Sequence, residues 1–372
     1  MSIRRRRTVT NSQPCFVEAQ QLESKQLLTG VVTLAITGAN ISAVGDSNPN
    51  EVEIELDTAH FVVSGLSGTV LKDANGVVIP NGTSFPFPAN ANISVDLKGG
   101  DDELVLYVDS AVTTNNVNIK TGSGNDEVFL DAFDTLTVNG SIKVDSGAGQ
   151  DDVLVYASGG RIDVKGSVSV DTGADDDNVG FVDRVKTPDD ITAAAFIAIA
   201  NDTAATGNQT INVAKNLNIS TGNGNDSVGL LGVEVKGNLK IHSGFGHGDN
   251  VGVSNVRVGG NMDLIYGDTN AISNVTVVGR LKADSGTGDD TFALSNVKAG
   301  QIDIDLGSGR DQIALSGVTS VSKGKIRGGS GTDQIVGSVG LAGAKVTMFQ
   351  GNAVDPAIVD QVLAELVASG IL

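Results

Sequence analysis

The sequence predicts an all-β chain wound as a parallel, right-handed β-helix solenoid with three short strands per coil. Two observations carry that prediction. A glycine-rich turn ending in an acid recurs down the chain, and apolar residues stand at fixed offsets on either side of it. Thr121-Gly-Ser-Gly-Asn-Asp126 leads into Glu-Val-Phe-Leu130, and Ser146-Gly-Ala-Gly-Gln-Asp151 leads into Asp-Val-Leu-Val155. Thr221-Gly-Asn-Gly-Asn-Asp226 and Ser285-Gly-Thr-Gly-Asp-Asp290 are each followed by the same kind of apolar stretch. Leu306-Gly-Ser-Gly-Arg-Asp311 and Gly328-Gly-Ser-Gly-Thr-Asp333 repeat it, and looser copies end at Asp102, Asp177, Asp249 and Asn270.

With the turn acid at position zero, Leu104, Val128, Val153, Val179, Val228, Val251, Ile272, Phe292, Ile313 and Ile335 stand two places later. Four places later stand Leu106, Leu130, Val155, Phe181, Leu230, Val253, Leu294 and Leu315, with Asn274 and Gly337 breaking the column. Pairs such as Val117 and Ile119, or Ile142 and Val144, precede the acid, and a third pair such as Leu136 and Val138 lies between. Alternation of this kind points every second side chain inward. The acids at 102, 126, 151 and 177 are 24, 25 and 26 residues apart. One such unit cannot bury its apolar face alone, whereas stacked units form a continuous core. An antiparallel sandwich with regular turns is the competing arrangement, and it does not require one residue type at one coil position for ten turns.

The remaining segments follow in order. Residues 1–30 form an N-terminal targeting segment with a basic run, Arg4 to Arg7, and no clean apolar stretch behind it. Residues 31–95 read as a β-rich cap and first coil, with Val52, Ile54 and Leu56 alternating with Glu51, Glu53 and Glu55. Within it, Gly45-Asp-Ser-Asn-Pro-Asn50 reads as a worn copy of the turn, and the Gly- and Pro-rich stretch 72–90 reads as loops. Residues 96–350 hold the repeats, interrupted at about 183–208. There Thr187-Pro-Asp-Asp190 has the chemistry of a helix start, and the apolar run 191–200 follows. Residues 351–372 read as a C-terminal helix, opened by Asp355-Pro356, that covers the open end of the solenoid.

Net charge is −19 with Lys and Arg numbering 25 against 44 Asp and Glu, which disfavours nucleic acid and anionic lipid as partners and favours cations. No stretch is long and apolar enough for a transmembrane segment. A single cysteine, Cys15, excludes internal disulfides and a thiolate metal site. Aromatics are 4% with no Trp, which weakens any reading that needs stacking platforms. His60, His242 and His247 are scattered, and no nucleophile elbow, phosphate loop or metalloprotease motif is present.

The turn itself resembles the hemolysin-type (RTX) calcium-binding repeat, Gly-Gly-x-Gly-x-Asp before an apolar strand, and Gly328 to Ile335 fits it best. The resemblance implies calcium held by turn carbonyls and by Asp102, Asp126, Asp151, Asp177, Asp226, Asp249, Asp290, Asp311 and Asp333. This chain departs from that family in having one such turn per coil of 20 to 26 residues and in replacing the first Gly by Thr, Ser or Leu. Leu22-Glu-Ser-Lys-Gln-Leu-Leu28 resembles the LEPR-XLL element of exported bacterial proteins, with Ser24 and Lys25 where Pro and Arg are usual. It implies a secreted or cell-surface location. The expectation is therefore an exported, non-enzymatic, calcium-binding solenoid serving at a surface, in a matrix or in adhesion. Extracellular polysaccharide or surface proteins are the partners such a role implies. A carbohydrate-active β-helix (lyase or hydrolase) and an ion-free structural solenoid are the alternatives, because Gly and Asp also serve purely as turn formers.

Overall fold

The computed structural model describes residues 30–183 and 209–337, apart from 245, 247, 266 and 323, together with the short strands at 340–341 and 345–347. The two expected helices, at about 183–208 and 351–372, and the LEPR-XLL-like segment lie outside the described residues. What is described is all β, and no helix occurs among those residues.

Strands of equivalent position pair in parallel from one coil to the next. Glu127–Ala132 lies between Glu103–Val108 and Asp152–Ala157, and the same relation continues to Gln334–Gly337. A thirteen-stranded sheet results, running in sequence order except at its N-terminal edge. The strands between successive members, such as Thr135–Val138 and Ile142–Ala148, pair with their own counterparts in a second, larger sheet. This is a solenoid-like stack, with side chains alternating between core and outside along each strand.

The core is the set of apolar columns read from the sequence. Val128, Val153 and Val179 stand in register, as do Leu130, Val155 and Phe181, and all six are buried. On the second sheet Ile142, Val168 and Leu217 align, as do Leu136, Ile162 and Ile211. A residue in such a column touches its own kind above and below, so each ladder removes branched aliphatic surface from water at about 25 cal/mol per Å².

One coil departs from the expected register. Asn270 does not hold the turn-acid place. It sits in the core column between Val251 and Phe292, and Ile272 occupies the next column where Asn274 was expected. The acid place belongs to Asp268, whose carbonyl accepts the Thr291 N–H at 2.7 Å as the Asp290 carbonyl accepts that of Gln312 at 2.8 Å. The cause is a short turn: Leu264 and Ile241 share a column, but Asp268 comes only four positions after Leu264, whereas Asp249 comes eight after Ile241. Asn270 fills the gap by donating its side-chain N–H to the Gly267 carbonyl at 2.6 Å.

The N-terminal region joins the stack and closes it. Glu51–Leu56 pairs in parallel with Glu103–Val108 and antiparallel with His60–Leu66, which pairs antiparallel with Thr83–Pro86. Part of the stretch expected to be loop is therefore an edge strand, where Pro86 withholds no needed N–H. Antiparallel strands at this end prevent the first coil from presenting a bare edge of its own kind.

The turn glycines tolerate nothing larger. Gly147 has φ 107°, and a Cβ there would overlap the carbonyl oxygen of Gly122 one coil before. Gly76 also has positive φ, 81°, but faces open space. Gly147→Ala is expected to cost at least about 3 kcal/mol, combining left-handed strain with backbone displacement, against about 1 kcal/mol for Gly76→Ala. Chemical denaturation of the two variants measures the difference, and equal losses would remove the close stacking of turns from the account. Phe181→Ala, in a fully buried column, is expected to lose about 3–5 kcal/mol in the same measurement.

Candidate functional site: a buried acid ladder

The nine expected acids are brought into one line, but they do not face solvent. Their exposure ranges from 0 to 2%. Each carboxylate except that of Asp290 reaches back to the coil before it. Asp126 Oδ1 accepts the Asp102 N–H at 2.8 Å, Asp151 Oδ1 that of Asp126 at 2.9 Å, and Asp177 Oδ1 that of Asp151 at 2.9 Å. The chain of bonds continues through Asp226 and Asp249, each at 2.9 Å. Asp268 follows with the Asp249 N–H at 3.3 Å. A second run links Asp290 to Asp311 at 3.0 Å and Asp311 to Asp333 at 3.3 Å.

The first rung is Asn50, in the worn turn copy. Its N–H and its side-chain amide both donate to Asp102 Oδ1, at 2.7 and 3.0 Å. An amide fits there because the terminal rung gains donors without adding a charge.

The second carboxylate oxygen has a different fate. A Thr or Ser hydroxyl recurs in the turn at Thr121, Ser146, Thr172, Thr221 and Ser243, all buried. Thr221 donates to Asp226 Oδ2 at 2.7 Å. At Asp102, Asp311 and Asp333 the corresponding residue is Leu97, Leu306 or Gly328, which offers no hydroxyl, and Oδ2 is buried without a partner. Between Asp268 and Asp290 the ladder is interrupted, and both carboxyl oxygens of Asp290 are buried without a hydrogen bond.

Burial therefore dominates the titration of the line. It pushes Asp102, Asp151, Asp177 and Asp249 up to about 7, while the donated amides and hydroxyls pull the other way. Asp226 is raised to about 6, by burial against the Thr221 hydroxyl. Asp290 rises furthest, to about 8, through burial and then the neighbouring Asp311 and Asp268 carboxylates. A buried carboxylate in this position requires a proton or a cation beside it.

The donor set fits a hard cation in part. Orphaned carboxylate oxygens recur at seven of the nine acids, all but Asp226 and Asp249, and oxygen is the ligand chemistry calcium takes. Against that, one oxygen of most acids is already committed to an amide. Among the described residues no three His, Cys, Asp or Glu side chains converge as a metal site. Arg310 is exposed and its main-chain N–H donates to the Asp289 carboxylate at 2.9 Å, while Asp311 is buried. Burial, and then the Lys240 charge, hold the His242 imidazole below its ordinary range; His247 lies outside the described residues.

Two further rows escaped the sequence reading. At another corner Asn116, Ser141, Ser167, Asn216, Asn238 and Asn261 each accept the main-chain N–H of the next coil through a side-chain oxygen, at 2.8 to 3.4 Å. The signal for it was present: Gly precedes the ladder residue at Gly140, Gly166, Gly237 and Gly260. On the outer face of the thirteen-stranded sheet, Glu51, Glu103, Glu127 and Asp152 form a row of acids. Beside it Tyr107, Phe129 and Tyr156 touch ring to ring at 6.1 and 6.3 Å. The low aromatic content thus conceals a local concentration. Next to this row Glu55 is pushed up to about 7, first by a hydrogen bond with Asp109 and then by burial.

No protein-family model, curated protein or solved structure matches the chain.

Two outcomes follow for the ladder. The raised acids hold protons in the folded chain at pH values where the unfolded chain has lost them. Their contribution to stability is complete below the ordinary carboxylate range and is lost as pH rises through about 6 to 8. With chelator present, Tm is expected to fall between pH 5 and pH 9; a rising profile would contradict the assignment. At neutral pH, Asp177→Ala leaves the Asp151 N–H buried and unpaired and is expected to cost about 1–3 kcal/mol, whereas Asp177→Asn keeps the acceptor and costs less.

Proposed function

We propose that this chain is an exported, non-enzymatic β-solenoid, a right-handed β-helix of three strands per coil closed by a C-terminal helix, that serves at a cell surface, in a matrix or in adhesion. Calcium is its ion, taken along the acid ladder. The observation that carries the reading is the recurrence of buried carboxylate oxygens without donors, at Asp102, Asp126, Asp151, Asp177, Asp311 and Asp333, and on both oxygens of Asp290. In a calcium-poor compartment the raised acids among them, Asp102, Asp126, Asp151, Asp177, Asp290 and Asp311, are held by protons. Outside the cell calcium supplies the counter-charge instead, so folding is favoured after export. Cation uptake stabilises only the folded chain, by an amount set by calcium concentration over its dissociation constant.

Thermal unfolding at pH 8, in chelator and then in millimolar calcium, tests this. A calcium-specific rise in Tm is expected, absent with magnesium, together with loss of the response in Asp290→Asn. The ion-free structural solenoid predicts no response to calcium and a higher Tm for Asp290→Asn at pH 8, because the substitution removes a desolvated carboxylate. That outcome would overturn the calcium reading.

A second reading, a carbohydrate-active solenoid, rests on the Glu55–Asp109 pair. A carboxyl group that keeps its proton near neutral pH beside a second carboxylate, with aromatic rings close by, has the composition of an acid–base cleavage site. It predicts cleavage of an acidic or neutral polysaccharide that Glu55→Gln abolishes without lowering Tm. Absence of cleavage across a polysaccharide panel leaves the scaffold reading standing.

A further inference from the structure

The break in the acid ladder brings two carboxyl groups together without an amide between them. In the regular part, each acid accepts the N–H of the acid one coil earlier, as Asp151 does from Asp126. Asp290 is 1% exposed, and neither of its oxygens has a donor. Its side chain lies within hydrogen-bonding reach of the Asp268 carboxyl, a contact that is a bond only while one of the two carries a proton. Asp268 is held from the other side. Its Oδ2 accepts the main-chain N–H groups of Gly248 and Asp249, the latter at 3.3 Å.

The backbone around the pair differs from that of the other turns. At Gly307, Gly309 and Gly331 a Cβ would overlap a carbonyl oxygen of the coil before. At Gly288 the nearest atoms of the described residues are instead Asp290 Oδ1 at 3.7 Å and Asp268 Oδ1 at 3.8 Å. Two carboxylate oxygens, from different coils, thus border the place where a turn carbonyl stands elsewhere. Ser285 adds a third group. It precedes Asp290 by five positions, as Thr221 precedes Asp226. The Thr221 hydroxyl is engaged by Asp226 at 2.7 Å, whereas Ser285 Oγ is buried without a partner in a residue 4% exposed. Among the described residues no ion pair with Lys, Arg or His involves Asp268 or Asp290.

We infer that the break is a single divalent-cation site, filled before the rest of the ladder, with Asp268 and Asp290 as its carboxylate ligands and the Ser285 hydroxyl as a further oxygen donor. It rests on the calcium reading above and gives that reading a location. Two ionised carboxyls in contact repel, and burial removes the water that would weaken the repulsion. One dication beside the pair cancels both charges. In the regular part of the ladder an amide already holds one oxygen of each acid, so a cation there meets single oxygens one coil apart. The donors at the break are all oxygen. Calcium accepts roughly six to eight oxygens in irregular arrangements, whereas magnesium demands a compact octahedron. Asp268 is only half-buried, which opens the pair to solvent on its side.

Calorimetric titration of calcium chloride into the chelator-treated, full-length protein at pH 8 tests the site. One tight equivalent is expected. Asp268→Asn keeps an acceptor for the Gly248 and Asp249 N–H groups and should weaken that equivalent by about tenfold or more, because ligand charge sets calcium affinity. Ser285→Ala removes a hydroxyl that has no partner, so it should weaken calcium binding while Tm in chelator does not fall. Asp305→Asn, at an outward acid paired with Arg327, should bind as the unsubstituted protein does. Equal affinity in the unsubstituted protein and Asp268→Asn, or several equivalents of equal strength, would overturn the site and leave calcium to the regular part of the ladder. No calcium uptake by the unsubstituted protein would sink the calcium reading itself, and the site with it.

Discussion

The interaction on which this molecule depends is the hydrogen bond from one turn's main-chain N–H to the carboxylate of the next turn. It joins coils at the corner where the strand ladder is interrupted by glycines, so the main-chain pairing does not lapse there. The acid's own carbonyl accepts an N–H from the residue after the following acid, as Asp102 does from Glu127 at 2.8 Å. Main chain therefore reaches forward to the next coil while side chain reaches back. This fixes coil spacing and register together, and it explains why Asp recurs at a place where a generic turn former would satisfy the backbone angles alone.

The same bond creates the electrostatic problem of the structure. An acid that satisfies a buried amide is itself buried, and each carboxylate has a second oxygen. The Thr221 hydroxyl answers that need at Asp226, while the second oxygens of Asp102, Asp126, Asp151 and Asp177 stay buried without a donor, and at Asp290 neither oxygen has one. The short turn before Asp268 breaks the line at the place where a counter-charge is most needed. An irregularity in turn length thus becomes a difference in chemistry, and Asp290 differs from its counterparts through its neighbours alone.

The two outer faces express a division of labour that the repeat does not impose. Both sheets alternate inward and outward, and both inward sets are aliphatic. Outward, one sheet alternates acids with Lys and Arg, and the other gathers Leu, Val, aromatic rings and then Gly and Ala. Opposite charges in neighbouring coils keep the first face hydrated and hostile to strand addition. The acidic row of the second face, from Glu51 to Asp152, lies at the edge of that apolar area.

Much of the architecture was legible in the sequence. Parallel stacking demands like residues at like positions, so the columns of Val, Ile and Leu, the acid line and even the worn copy at Asn50 announced themselves as repetition. Repetition does not reveal register where a turn changes length: the pattern points to Asn270, and the stack puts Asp268 in the ladder. Nor does it reveal direction. An Asp at the end of a glycine turn can face solvent and an ion or face inward and an amide, and the same letters describe both. Only the stacked backbone decides, because the N–H that captures each carboxylate belongs to a coil some two dozen residues away.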